Sequence, residues 1–168
     1  MTESVCIQTA LTARRRLSYD CIVLQPDTLM NITPCFNLKL RQADRVLTSY
    51  YDNSLRDLGI TIAQFSVLRV LSMLKSPSQK ELQEVLVLQQ TTLTRNLKPL
   101  IRSGYVQTNP SPDDGRVTLV SLTDEGKALF NKAKVRWKQA QSGISQHLGD
   151  ELSAQLLQVA DAILTLRS

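Results

Sequence analysis

The chain is poor in the residues that most often carry chemistry. It has one histidine, His147, and three cysteines, Cys6, Cys21 and Cys35, with no CxxC pair among them. An odd number of scattered thiols and a single imidazole indicate neither a zinc site nor a disulfide framework. A reducing, cytoplasmic setting is the expectation. No apolar run approaches the roughly 18 residues that span a bilayer, so no membrane association is expected. Glycine-rich phosphate loops, paired carboxylates and a base set beside a nucleophile are missing as well. The chain is therefore expected to have no catalytic residue, no metal and no cofactor.

What is present is an ordinary apolar fraction, 42% of 168 residues, enough for one domain with a real core. Twenty Lys and Arg against fifteen Asp and Glu give a net charge of +5. That excess modestly favours an anionic partner, and it is spread along the chain rather than gathered in a tail. The first thirty residues stand apart. Their Arg14 to Arg16 run is not followed by the apolar stretch of a secretory signal. Residues 1–30 read as an arm, or as an extension ahead of a true start at Met30, in preference to a transit peptide. Residues 31–168 are the expected domain.

From Thr33 and Pro34, which suit the cap and first position of a helix, the residues Phe36, Leu40, Ala43, Leu47, Tyr50, Tyr51, Leu55 and Leu58 recur at steps of three and four up to Gly59. That is a long amphipathic helix. Thr61 caps a second helix whose Phe65, Leu68, Val70, Leu71 and Leu74 exceed one exposed stripe, which places it in the core. Ser78 and Glu81 form a capping box for a short helix. A tight turn then leads to QTTLTRNLKPLIRSGY, stopped by Gly104, with Leu93, Leu97, Leu100 and Ile101 facing inward. From Tyr105 the period changes to two, and YVQTNP and RVTLVSL read as an antiparallel hairpin around PSPDDG. Thr123 caps another helix, and Gly149 divides it from a last one.

The fold class is thus mainly α with a small β-hairpin. Two short helices, a tight turn and a hairpin are the order of a winged helix-turn-helix. Its second helix would enter the major groove of double-stranded DNA. Gln89 and Gln90 can address adenine at two points, Thr91, Thr92 and Thr94 offer hydroxyl and methyl, and Arg95 and Lys98 suit guanine or phosphate. A plain solvated face has the same composition; the order of elements is what favours recognition. In the hairpin tip, Asp113 and Gly115 fit a tight turn. Asp114 stands two residues before Arg116 in a strand-like register, where it can hold that guanidinium in one direction for a minor groove.

From Pro34 to Leu166 the chain resembles the MarR family of bacterial transcriptional regulators. The specific part is TTLTRNLKPLIRSGYVQTNPSPDDGRVTLVSLTDEG, which is similar to the family's recognition helix, wing and following helix start. Asp114 and Arg116 match its Asp-x-Arg wing pattern. The resemblance implies a homodimer held by segments 31–60 and 123–168, with a DNA-binding lobe at 61–122, on a pseudo-palindromic operator. It also implies a repressor released by a small-molecule effector. The apolar surplus on the first and last helices agrees with dimerisation.

Two residues depart from or extend that pattern. Pro99 lies inside the expected recognition helix, where a missing N–H costs roughly 3 kcal/mol unless the helix bends near Arg95 to Lys98. Cys35, followed by Phe36, resembles the reactive cysteine of the family's organic-hydroperoxide-sensing branch, although it stands slightly earlier relative to the Gly-Ile-Thr entry of the second helix. A thiol at the positive end of a helix is a candidate redox sensor, and Tyr50 and Tyr51 could supply hydroxyls across a dimer. Two rival readings are a winged helix used only for protein–protein assembly and a thiol enzyme built on Cys35.

Overall fold

The computed structural model describes residues 35–166; the arm, Cys6, Cys21, Thr33 and Pro34 lie outside the described residues. The chain divides into two units, Met1–Phe36 and Asn37–Ser168. Apart from Phe36 itself, the elements below belong to the second.

Helix α1 (Phe36–Leu55) passes through a 3-10 turn, Arg56–Leu58, and ends at Gly59 with φ 68°. Asp52 ties it to the next helix by accepting the Ile62 N–H at 2.6 Å. Helix α2 (Ile62–Leu74) starts from a capping box in which Thr61 pairs with Gln64. It buries Phe65, Val67, Leu68, Val70 and Leu71, more than one stripe, and so runs through the middle of the core. Leu74, expected among them, is 46% exposed, because the helix stops there at Lys75, whose φ is 66°.

Helix α3 (Gln79–Leu86) carries the expected box: Ser78 Oγ accepts the Glu81 N–H at 3.2 Å, and Glu81 accepts the Ser78 N–H at 2.7 Å. The Ser78 backbone N–H, then its hydroxyl, hold the Glu81 carboxyl below the usual carboxylate range. Helix α4 (Gln90–Arg102) buries Leu93, Leu97 and Leu100. Ile101 is 40% exposed rather than inward, since the residue after Leu100 falls at the edge of the stripe.

Strands β1 (Val106–Pro110) and β2 (Thr118–Leu122) pair antiparallel from Val106↔Leu122 to Pro110↔Thr118. Only Val106 of β1 is buried, whereas β2 buries Val120 and Leu122. On its other side β2 meets the segment ahead of α3, with the Val120 N–H donating to Pro77 at 2.9 Å. The base of the hairpin is thereby fastened to the start of α3.

Helix α5 (Asp124–Leu164) is capped by Thr123, which accepts the Gly126 N–H at 3.0 Å, and is broken at Gly149, with φ 77° and ψ 168°. Its first part packs Leu129 and Ala133 into the core. Phe65 stacks on Phe130 and Trp137 at 5.7 and 5.8 Å, and Arg69 covers the Trp137 ring at 4.8 Å. Beyond Gly149 no described residue is buried.

Candidate nucleic-acid interface

The turn between α3 and α4 closes through Val87, a β-branched residue in the left-handed region at φ 55°. Its N–H and that of Leu88 both donate to the Gln83 carbonyl. Gln89 is then extended and opens α4. With Leu93, Leu97 and Leu100 anchored inward, the helix leaves Gln89, Gln90, Thr91, Thr92, Thr94, Arg95 and Lys98 exposed together. All seven residues expected from the sequence therefore share one solvent-facing element. The helix continues through Pro99 to Arg102 without interruption, and Pro99 accepts the Ser103 N–H at 3.0 Å.

The start of α4 differs from those of α2, α3 and α5. Each of those is capped by a hydroxyl, from Thr61, Ser78 and Thr123. Gln89 makes no side-chain cap, and the first turn of α4 holds no acid. The positive end of this helix is left open to an anion.

Two side chains on this face are already engaged. Thr94 donates its hydroxyl to the Gln90 carbonyl at 2.9 Å, so it offers lone pairs and a methyl group outward. The Gln90 amide accepts from Gln83 Nε2 and donates to Gln79 Oε1 at 3.1 Å. Gln79 and Gln83 were not foreseen in the sequence. Their spacing of four puts them on one side of α3, but nothing local says that a residue of the next helix lies opposite.

The hairpin tip differs from its expected form in four ways. Residues 111–117 form a loop, so Asp114 and Arg116 are not in strand register. Asp114 Oδ1 accepts the backbone N–H of Arg116 at 2.9 Å, an Asx turn, and is not paired with its guanidinium. Asp114, not Asp113, supplies this turn bond; Asp113 donates its N–H to Ser111 Oγ at 3.3 Å. Gly115 is not among the positive-φ glycines, so the turn does not require its freedom. A compact loop with an acceptor inside it has less need of a charged clasp. Arg116 stays exposed and lines, with Ser78, Lys80, Gln83 and Gln90, a cleft of about 340 Å³. Wing arginine and helix start thus face one space.

Cys35 is exposed immediately before α1. Tyr50 is 46% exposed, and the Tyr51 hydroxyl donates to Gln141 of α5. Burial, and secondarily Tyr50, push the Tyr51 phenol up. No group of metal-ligating side chains occurs among the described residues, and no single helix among them is long and apolar enough to cross a membrane.

Residues 61–126 match the family described as winged helix DNA-binding domain, a span from the cap of α2 to the first turn of α5. The multiple antibiotic resistance protein MarR of Escherichia coli K12 is 35% identical over 126 residues, covering 75% of this chain and 78% of that protein. The chain belongs to the MarR family. Another relative, the organic hydroperoxide resistance transcriptional regulator of Bacillus subtilis, is 32% identical over 76% of this chain and 83% of its own length. Among solved structures, the MarR-family fold is similar to that of the M. tuberculosis transcriptional regulator MOSR in complex with DNA. The TM-score is 0.69 at 31% identity, over 80% of this chain and all (100%) of that one. This MarR-family chain is a DNA-binding transcriptional regulator.

Proposed function

We propose that this regulator is a cytoplasmic homodimer that binds a pseudo-palindromic operator in double-stranded DNA and represses transcription until an effector or oxidant releases it. The observation that carries the reading is the uncapped, acid-free start of α4, which shares a cleft with Arg116. Gln89, Gln90, Thr91 and Thr92 meet base edges at the head of the helix. Arg95 and Lys98 bind guanine or phosphate, and Arg116 enters the adjacent minor groove. Asp114, with Gly115 beside it, shapes the loop that carries Arg116.

Dimerisation is supported by unpartnered apolar side chains at both ends of the domain. Leu38, Leu40, Val46 and Tyr50 of α1 are exposed, as are Leu152, Leu156, Leu157, Val159 and Ile163 beyond Gly149. A cleft of about 890 Å³ between α1 and α5, lined by Val46, Leu47, Ile144 and Leu156, gives a second copy room to seat. Segments 31–60 and 123–168 form this interface, and 61–122 the reading lobe. Selection of bound sequences from random duplex DNA tests both points. The expected result is two half-sites related by a dyad, about one helical turn or a multiple apart, with affinity falling steeply with salt. Unselective binding removes the operator from the reading, and no salt-dependent binding at all replaces it with a protein-assembly module.

Release by oxidation is supported by the exposure of Cys35 and by the relative named for organic hydroperoxide resistance. Peroxide is expected to release DNA from the wild type and not from Cys35→Ser. Equal responses leave a small-molecule effector as the trigger.

A further inference from the structure

Gln90 is the first residue of α4, and its amide does not hang free. Gln83 Nε2 donates both to the backbone carbonyl of Gln79, at 3.2 Å, and to Gln90 Oε1. Gln90 Nε2 in turn donates to Gln79 Oε1 at 3.1 Å. Three glutamines, two from α3 and one from α4, close a ring of amides across the helix-turn-helix.

The ring has a fixed direction. A glutamine amide ordinarily reverses at little cost, because its oxygen and nitrogen ends have similar shape. A backbone carbonyl, however, can only accept. The Gln79 carbonyl therefore requires the NH2 end of Gln83 to face it, and that same NH2 requires the oxygen of Gln90. The nitrogen of Gln90 is then left for Gln79 Oε1. Gln79 and Gln83 are half-buried while Gln90 is exposed, so the two anchors are shielded and the end of the chain looks outward. One N–H and one lone pair of Gln90 remain unused, the complement that a base edge needs.

We propose that Gln79 and Gln83 are positioning residues that set the polarity of the Gln90 amide and so determine which base it accepts. This rests on the reading of α4 as the recognition helix. With the ring intact, Gln90 offers donor and acceptor in one order, which suits the N7 and N6 positions of adenine. With the ring opened, the amide turns over freely and accommodates the opposite order.

The test compares base preferences of the 168-residue wild type, Gln90→Ala, Gln83→Met and Gln79→Met, selected from random duplex DNA at one salt concentration. Methionine keeps the length of the side chain and adds no charge. Gln90→Ala is expected to lose preference at one position of each half-site. Gln83→Met is expected to relax the same position by roughly tenfold, with other positions retained. Gln79→Met gives the same profile more weakly, and the double variant Gln83→Met with Gln90→Ala is no worse than Gln90→Ala alone. A merely structural role lowers binding evenly at every position, and that outcome overturns the proposal, as does an unchanged profile in both methionine variants. If Gln90→Ala alters the profile and the methionine variants do not, the ring fails while DNA reading stands. If the wild type selects nothing, both fall. Thermal melting of each variant identifies any that fails to fold, and the remaining methionine variant then decides.

Discussion

Gly126 lies so close to Tyr105 that a Cβ on it would stand 1.9 Å from the Tyr105 carbonyl oxygen. The same carbonyl accepts the Thr123 N–H at 3.1 Å, which pins the first turn of α5 onto the end of the helix-turn-helix. The neighbour here is backbone and has no rotamer to change. Gly126→Ala is expected to destabilise the fold by at least ~2 kcal/mol in urea unfolding. A loss within ~0.5 kcal/mol shows that the turn yields more easily than this packing implies.

Arg95 and Arg116 are expected to fail in different ways. Arg95→Ala weakens operator binding by about 1 to 3 kcal/mol and relaxes the preferred sequence. Arg116→Ala weakens binding to random duplex as well as to operator, lowers the salt slope by about one, and leaves the dimer intact. Titrations of operator and random duplex at two salt concentrations separate the two patterns; identical behaviour refutes the division of labour.

For the hairpin tip the decisive comparison is between two replacements of Asp114. Its oxygen closes the turn by accepting the Arg116 N–H. Asp114→Asn keeps an acceptor there and should retain DNA affinity, or raise it by removing a negative charge. Asp114→Ala opens the turn and should lose affinity several-fold, by ~1 kcal/mol. Should both bind like the wild type, the loop does not depend on this bond.

The cap of α3 carries an acid dependence. Because Ser78 depresses the Glu81 pKa in the folded chain, its contribution is present above the unfolded carboxylate range and is lost as pH falls through the folded value. Glu81→Gln keeps a capping partner but does not titrate. The stability gap between wild type and Glu81→Gln should therefore shrink from neutral pH to below about pH 4. A gap that is constant with pH contradicts this source.

Val87 occupies a left-handed position that costs a β-branched residue ~1 to 2 kcal/mol, and its side chain is largely exposed. Val87→Gly should raise stability by up to about 1 kcal/mol, after the added freedom of the unfolded chain is subtracted. A drop in melting temperature indicates that the isopropyl group packs usefully in the turn.

The parts of this fold that were legible in the sequence are those decided within four or five residues. Hydroxyl caps at Thr61, Ser78 and Thr123, helix ends at Gly59 and Gly104, and the break at Gly149 are local events with local signatures. The exposed face of α4 followed from its inward leucines. What escaped depended on neighbours from elsewhere in the chain. Leu74 and Ile101 carry apolar side chains that fall at a helix end and a stripe edge. The Asp114 bond is local but competes with an equally plausible charge pair, and only the loop conformation chooses between them. The glutamine ring needs two helices brought together, and the demand for glycine at 126 comes from a backbone oxygen 21 residues earlier, at Tyr105.

The break at Gly149 has a further consequence. Its φ of 77° and ψ of 168° lie where essentially only glycine is at ease. The angle at which residues 150–166 leave the domain is therefore governed by a carbon that is not chiral. Any L-residue there pulls the chain back toward negative φ and re-aims the exposed leucines that follow. In the proposed two-copy assembly, joined through those leucines, the spacing between the reading heads would depend on a residue that has no side chain to mark it.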